Sequence, residues 1–487
     1  MSDKTVAAGK ASSGNQSSDQ TSTREQPDPR RWRILGVSLV VGFMSLLDVS
    51  IVNVAVPSMQ QGLHTSAGTV QWVVSGYALT FGLTLVAGGR LGDAYGRRRM
   101  MTIGLCAFTV SSAAVGLAPS ALLVVVARLL QGASAGLLTP QNSGLIQQLF
   151  RGPERGKAFG LFGFTVSVSS AVGPVLGGVI LSLAGEHSGW RYLFLINVPI
   201  GLAALFFVAR LVPGRPNSSE DAADARIDVI GAILLGAMVV AVLFPVVSVE
   251  GEIYWPLAFL VLAPLCGWGF VRWERRTVAR GRPPLLDVSL LRRVRGYAGG
   301  LAIGGLYFTG FTGTLLVTSY YLQDALGFGP LHAGLLISPF AVGAAMSAPV
   351  AGRVVSDVGR LVTVIALSVV ILGVAVTALA VPLLSPGHLW WVSVPALLVA
   401  GLGGGSVVSP NMTLSLNEVP PRMGGAAGGA LQTGQRIGSS VGAALMMTVY
   451  TSVGLHLAES QALRIALLTA VGLLAAALTM AIRDWRA

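Results

Sequence analysis

Long apolar segments separated by short polar ones recur along almost the whole chain. Each apolar segment holds roughly 18–30 residues with few charges, which is enough to cross a hydrocarbon core of about 30 Å as a helix. We predict fourteen such helices, at residues 34–57, 70–89, 101–118, 121–146, 157–184, 192–213, 228–249, 253–272, 297–321, 331–352, 361–384, 389–410, 424–453 and 461–482. The pattern therefore predicts an all-α polytopic membrane protein.

The distribution of charge sets the expected topology. With an even number of spans, both termini lie on one face, and 29 of the 33 Lys and Arg residues fall in tails or loops on that face. Cytoplasmic loops carry an excess of Lys and Arg, so we predict cytoplasmic termini. The net charge of +12 thus follows from topology and gives no indication of nucleic-acid binding.

The fourteen predicted helices divide into six, two and six. We expect a disordered cytoplasmic tail at 1–30, an N-terminal six-helix bundle at 31–213, two inserted helices with cytoplasmic connectors at 214–295, and a C-terminal six-helix bundle with a short tail at 296–487. The tail is rich in Ser, Thr, Gln and Asp and lacks apolar periodicity.

A weak internal repeat supports the division into two halves. After the second helix, Gly89-Arg90 is followed seven residues later by Gly96-Arg97, and after the tenth, Gly352-Arg353 is followed at the same spacing by Gly359-Arg360. Parallel repeats of this kind are how several transporter folds are built, with the substrate handled near the membrane midplane between the halves.

One aspartate, Asp48, lies well inside the first apolar segment. A carboxylate near the bilayer centre costs about 2.5–3.5 kcal/mol on insertion scales, so it indicates function. Helical periodicity places Ser38, Ser45 and Ala55 near the same face. Arg128, in the fourth helix, is expected at nearly the same depth. Either Arg128 controls a proton-carrying carboxylate, or the two residues form a structural pair that fixes two helices.

The residues around Asp48 carry a family resemblance. The segment from Leu47 to Pro57 resembles the signature of fourteen-span drug:proton antiporters of the major facilitator superfamily, with Ser50 and Val56 where that family usually has Thr and Leu. The segment that begins at Arg128 resembles the Arg-x-x-Gln-Gly motif of proton-coupled members. The resemblance implies a major facilitator fold, with two six-helix bundles and two inserted helices.

A second motif lies in the fifth helix. Gly173, Pro174, Gly177 and Gly178 resemble the antiporter motif of exporters in this superfamily, although Ser169 replaces its usual first glycine. Pro174 removes a helix hydrogen bond, and the glycines allow a neighbouring helix to approach closely. The motif favours export over uptake.

The segment after the second helix resembles the gate loop of the superfamily. Its residues are Gly89, Gly92, Asp93, Gly96 and Arg97. We expect the two later glycines to permit a sharp turn, and Asp93 to accept hydrogen bonds from a helix end or to pair with Arg97. The resemblance implies a latch that stabilises the outward-facing state.

Polar and aromatic side chains in the predicted helices are candidates for the wall of a substrate cavity. They are Asn53, Tyr77, Gln131, Tyr307, Phe311, Tyr320, Gln323 and Arg436. Arg436 either lines the cavity or pairs with a distant carboxylate.

The resemblance implies a drug:proton antiporter that exports multiple drugs, antibiotics or secondary metabolites by alternating access. Its expected partners are a small amphiphilic organic substrate, protons and the lipid bilayer. No enzymatic site, metal site or cofactor is expected, because the proton gradient supplies the energy. The alternatives are a proton-coupled transporter of one metabolite or siderophore and a non-transporting membrane sensor. The expected location is the plasma membrane, and the excess of Arg over Lys, together with abundant Ala and Gly, points to a bacterial source.

Overall fold

The computed structural model describes residues 28–185, 188–214, 228–250 and 255–486, and its regular elements are all helical within these ranges. The α-helices are α1 (Arg31–Gly62), α2 (Ala67–Tyr95), α3 (Arg97–Leu117), α4 (Ala121–Leu149), α5 (Pro153–Ala184), α6 (Gly189–Leu195), α7 (Asn197–Leu211), α8 (Val229–Glu250), α9 (Leu262–Ala279), α10 (Leu290–Arg293), α11 (Tyr297–Tyr320), α12 (Pro330–Val358), α13 (Leu361–Ala380), α14 (Leu389–Ser415), α15 (Gly424–Gly454) and α16 (Glu459–Arg486).

Fourteen helical segments in the described part are long and apolar enough to cross a membrane, as predicted. Some spans are composite. The sixth consists of α6 and α7, with a break at Ile196, and the eighth begins with a 3₁₀ helix at Trp255–Val261 before α9. The ninth continues α11 into a π-helix at Tyr321–Ala325. Nearly all of the predicted tail at 1–30 lies outside the described residues, and the predicted bundle boundaries stay predictions.

The helices pack as two bundles, α1–α7 and α11–α16, with α8 and α9 beside them. Because the number of spans is even, α1 begins and α16 ends at the same side of the molecule. We call that side the terminal face and the other side the opposite face. The fold is thus two six-helix bundles plus two inserted helices.

The two bundles meet along two helix pairs, α2 with α15 and α5 with α12. Glycines bring the backbones together in both pairs. A Cβ placed on Gly425 would lie 2.6 Å from the carbonyl oxygen of Gly89, and one on Gly352 would lie 2.6 Å from the Cα of Gly160. Small residues let two helix backbones approach closely. The resulting van der Waals contacts stabilise helix pairs inside a membrane, where no hydrophobic effect drives helices together.

These contacts lie towards the terminal face. One hydrophobic cluster there joins Leu35 and Phe150 of the first bundle to Met412 and Leu416 of the second. At the opposite face, the clusters found among the described residues each belong to a single bundle. The structure is therefore closed at the terminal face, and the two bundles separate towards the opposite face.

The inserted helices cover one of the two seams. Helix α8 packs against both α2 and α15, and a Cβ on Gly82 of α2 would lie 2.9 Å from the side chain of Leu243. Helix α9 continues beyond the predicted end at residue 272 and contains Glu274, which is fully buried and accepts a hydrogen bond from the Leu285 amide at 3.2 Å. Asp48 is thus not alone, because Glu274 is a second buried acid within a membrane span.

Candidate functional site

Asp48 lies at the centre of a buried polar network in the first bundle. Its Oδ2 atom is 2.5 Å from Nη1 of Arg128, and its Oδ1 atom accepts hydrogen bonds from Gln131 Nε2 and Asn197 Nδ2, each at 3.0 Å. None of these four side chains is more than 1% exposed. The equal depth predicted for Asp48 and Arg128 corresponds to a direct ion pair.

The Arg128 guanidinium is held by several groups besides Asp48. Its Nε donates to the Val73 carbonyl at 3.0 Å, and its Nη1 also donates to Gln131 Oε1 at 2.8 Å. The guanidinium carbon lies 4.2 Å from the ring centroid of Tyr77. Since three helices supply these contacts, the cation is fixed in one orientation, and three side-chain donors converge on the Asp48 carboxylate.

Two members of the network were missed by the sequence reasoning. Ser112 of α3 accepts a hydrogen bond from Gln131 Nε2 at 2.6 Å, and Asn197 begins α7 beside it. Asn197 lies in the segment from Trp190 to Pro199 and directly follows an apolar stretch. A polar residue at that position is a pattern in the sequence that could have identified it as a network member. Ser112 sits in an ordinary apolar helix and gave none.

Asp93, the acid of the gate loop, accepts hydrogen bonds from residues of both bundles. Asp93 Oδ1 accepts from Arg97 Nη2 at 2.7 Å and from the Gly425 amide at 3.1 Å, while its Oδ2 accepts from the Ala426 amide at 2.8 Å. Both amides belong to the first turn of α15, where the helix dipole favours a negative charge. Arg97 Nη2 also donates to the Pro421 carbonyl at 3.1 Å.

The predicted turn in this segment is partly wrong. Helix α2 continues to Tyr95, so Gly89, Gly92 and Asp93 are helical, and only Gly96, with φ of 92°, provides the break. A Cβ on Gly92 would overlap the side-chain amide of Gln141. The glycine therefore serves close packing against α4 and not the turn.

The Gly-Pro motif of α5 has two different faces. Gly173 and Gly177 are buried against α1, and a Cβ on Gly173 would overlap the hydroxyl of Ser50, two residues from the buried acid. Pro174 and Gly178 are exposed, and no atom lies within 4 Å of a Cβ on Gly178. The motif thus brings α5 against the part of α1 that holds the network.

The candidate cavity residues do not form one wall. Tyr77 and Gln131 are buried in the Asp48 network. Tyr307 and Phe311 are stacked, with centroids 5.5 Å apart, inside the second bundle. Tyr320 and Gln323 are exposed near the opposite face, and the side chain of Asn53 lies outside the described part of the structure.

Arg436 occupies a different place from the other candidates. It is half-buried on α15, and its guanidinium carbon lies 4.6 Å from the ring centroid of Phe81 on α2. Arg436 is thus the candidate that faces the other bundle.

Among the residues that the structure describes, no cluster of His, Cys, Asp or Glu has the arrangement needed to hold a metal ion.

Comparisons with known proteins agree with this architecture. The family model described as Major Facilitator Superfamily matches residues 38–227 and 222–443. A probable actinorhodin transporter of Streptomyces coelicolor is 36% identical over 435 residues, which is 89% of this chain and 74% of that protein. A tetracenomycin C resistance and export protein of Streptomyces glaucescens is 32% identical over 431 residues, 87% of this chain and 76% of that protein.

The solved structure of the proton:xylose symporter XylE has the same fold. It superposes with a TM-score of 0.67 at 17% identity, covering 95% of this chain and 96% of XylE. The chain therefore belongs to the major facilitator superfamily of membrane transporters.

Proposed function

We propose that this protein exports small amphiphilic organic compounds, such as antibiotics or related secondary metabolites, in exchange for protons. It works by alternating access in the plasma membrane of a bacterium, with both termini in the cytoplasm. It uses no cofactor, because the proton gradient drives each cycle. A membrane potential of 100 mV supplies about 2.3 kcal/mol for each proton that enters.

The buried Asp48–Arg128 pair is the observation that carries the proposal. Replacing a buried ion pair by well-packed apolar residues is often neutral or stabilises a protein by about 1–4 kcal/mol, so apolar packing would serve a purely structural role at least as well. A carboxylate that is paired in one conformation and unpaired in another can instead bind and release a proton. The pair lies inside one bundle, where it can respond when the helices of that bundle shift.

The relatives support the direction and the cargo. One is named as a probable actinorhodin transporter and another as a tetracenomycin C resistance and export protein. The Gly173 to Gly178 motif, which favours export, packs against the helix of Asp48. These observations favour outward transport of organic compounds over uptake of a nutrient.

The conformation fits one step of such a cycle. With the termini in the cytoplasm, the closed terminal face is cytoplasmic, and the molecule is outward-facing. Asp93 holds this state by bridging to the start of α15. Asp48 is paired with Arg128 here. Movement of Arg128 away from Asp48 would leave a carboxylate without a cation in a dry interior, and it would take up a proton.

Transport into inverted vesicles tests the proposal. Inside-out membranes that contain the full chain should accumulate fluorescein when a proton gradient is imposed and lose it when an uncoupler is added. Asp48→Asn should reduce this accumulation to background. The control is Glu459→Gln, which removes an exposed carboxylate at the start of α16 and should transport normally. Uncoupler-sensitive accumulation by Asp48→Asn would contradict the proposal.

A further inference from the structure

The Arg436 guanidinium is a cation in the membrane that no described residue neutralises. It lies twelve residues into α15, or about 18 Å at 1.5 Å per residue, and thus near the bilayer middle. Its contact is the face of the Phe81 ring, and no carboxylate or hydrogen-bond acceptor among the described residues pairs with it. Arg128, in contrast, uses its donors on Asp48, Val73 and Gln131.

Arg436 stands where the seam between the bundles ends. Closer to the terminal face, α15 touches α2 backbone to backbone, and a Cβ on Gly429 would lie 2.6 Å from the Leu85 carbonyl oxygen. About two turns further along, the long side chain of Arg436 spans the separation to Phe81. The guanidinium therefore lies at the floor of the space that widens towards the opposite face.

A second polar side chain lacks partners at the same place. Gln432 precedes Arg436 by one turn and projects from the same side of α15. It is only 6% exposed, yet neither its amide nitrogen nor its amide oxygen has a hydrogen-bond partner. Buried polar groups are nearly always paired, so an unpaired amide beside an unpaired guanidinium indicates a ligand.

We propose that Arg436, with Gln432, forms the subsite that binds an acidic oxygen group of the exported compound, a carboxylate or a phenolate. This inference rests on the proposed function and names the class of its substrate. A guanidinium stacked on an aromatic ring keeps its N–H donors free, because they lie in its plane. They match two oxygens of one anion, and the glutamine amide supplies one more donor.

The membrane potential favours such a cargo. In a cell with a negative interior, an anion that leaves moves down the potential, which contributes about 2.3 kcal/mol per charge at 100 mV. The buried carboxylate of Asp48 is already used by Arg128. A cationic compound would therefore be repelled by the unpaired guanidinium of Arg436, whereas an anionic compound would neutralise it.

Two dyes with the same ring system separate the possibilities. Fluorescein is anionic at pH 7.5, and rhodamine 6G is cationic on the same xanthene frame. Fluorescence anisotropy with the purified full-length protein should show tighter binding of fluorescein. Arg436→Gln should weaken fluorescein binding at least about tenfold, Arg436→Lys should weaken it less, and rhodamine 6G should change less than about twofold. Arg483→Gln, at an exposed position in the last turn of α16, is the control.

The inference is overturned if Arg436→Gln weakens both dyes equally, if it weakens neither, or if the wild type prefers rhodamine 6G. Unchanged thermal unfolding of Arg436→Gln shows that a loss is not misfolding. Asp48→Asn distinguishes this inference from the proposed function, because it should still bind fluorescein while proton-driven transport is lost. Unimpaired transport by that variant would count against the exchange mechanism alone.

Discussion

The two bundles place their buried ion pairs at different depths. In the first bundle, Asp48 and Arg128 meet in the middle of the membrane with side chains 0% and 1% exposed. In the second, Arg360 Nε lies 2.6 Å from Asp484 Oδ2 at the terminal end, where the aspartate side chain is 18% exposed. The same pair of functional groups is dry in one bundle and reached by water in the other.

The pair in the second bundle has the contacts of a structural tie. Arg360 joins Asp484 of α16 to Asn411 of α14, whose Oδ1 accepts from Nη1 at 2.8 Å, and to the Gly296 carbonyl, which accepts from Nη2 at 3.2 Å. Burial lowers the pKa of the Arg360 guanidinium, and the Asp484 carboxylate counteracts that shift. An arginine stays charged in proteins, so Arg360 remains a cation in this tie.

Aromatic side chains occupy the middle depth of the second bundle. The ring of Phe311 stacks on Tyr307 on one side and on Phe340, with centroids 4.4 Å apart, on the other. Under the proposed mechanism, the charge whose state changes belongs to the first bundle, whereas the ion pair and the stacked rings of the second bundle are fixed contacts. The comparison predicts that equivalent substitutions will affect transport in one bundle and stability in the other.

The largest expected effect comes from replacing Arg128 of the first bundle by lysine. Arg128→Lys keeps the charge but cannot reach Asp48, Gln131 and Val73 together, since an ammonium group lacks the planar fork. The loss of two charge-assisted hydrogen bonds, about 2–3 kcal/mol, should slow proton-driven export roughly 30–160-fold. Initial rates in energised inverted vesicles measure it.

Arg360→Lys is the matched substitution in the second bundle. Water reaches the carboxylate of Asp484 and can replace the lost hydrogen bonds, so export should fall less than about threefold. Equal losses for the two lysine variants would remove the distinction between a switching pair and a structural one.

A smaller effect is expected when one closely packed glycine in each bundle is replaced by alanine. A Cβ on Gly442 of α15 would overlap the carbonyl oxygen of Thr309 on α11. A Cβ on Gly173 of α5 would overlap the hydroxyl of Ser50 and would lie 2.7 Å from the Ser50 Cβ and 3.1 Å from the nearest backbone atom, the Ile51 nitrogen. Because a backbone cannot move aside, Gly442→Ala should lower the free energy of unfolding by about 1–3 kcal/mol, and Gly173→Ala by less. Thermal unfolding of the purified variants measures both.

The transport rates should follow the reverse order. Ser50 is two residues from Asp48, so Gly173→Ala should reduce proton-driven export more than it reduces stability. Gly178→Ala is the control on the same helix, because open space surrounds its Cβ position. A loss of export by Gly178→Ala as large as that by Gly173→Ala would show that the helix tolerates no change at all.

The sequence was a good guide to features that depend on single helices. Apolar length determines the number of spans, and helical rise was enough to place Asp48 and Arg128 at one depth. The partners Ser112 and Asn197 lie on other helices, and one sequence has no local pattern that specifies contacts across a bundle. Glu274 was missed because the predicted span ended at residue 272, although its buried carboxylate accepts a hydrogen bond from the Leu285 amide of the following connector.

The gate segment shows the same limit. Glycine at a helix end suggests a turn, and Gly96 meets that expectation, but Gly92 is helical and packs on Gln141. Local propensity cannot distinguish a glycine required for positive φ from one required for close packing. Asp93 caps α15 by accepting a hydrogen bond from the Gly425 amide, more than 300 residues later in the sequence, and no local pattern predicts such a contact.

The smallest expected effect comes from replacing the aspartate that lies within each copy of the internal repeat, Asp93 in the first copy and Asp357 in the second. Asp93 caps α15 of the other bundle, whereas Asp357, in the second copy of the repeat, is exposed. Asp93→Asn removes a charge at a helix N-terminus, worth about 1 kcal/mol, and should raise opening at the terminal face about fivefold. Ser143→Cys reports this opening, because Ser143 is 1% exposed and packs against Gly428 across the seam.

The measurement is the rate at which a maleimide labels that cysteine, after serine replaces Cys106 and Cys266. Asp357→Asn should leave the rate unchanged, since its side chain makes no tie between the bundles in the described structure. Faster labelling in both variants would mean that net charge at the terminal face, and not the cap on α15, holds the bundles together. Faster labelling in Asp93→Asn alone would locate the closure at one helix end, because the repeat supplies the same residue type in both halves and only one copy bridges them.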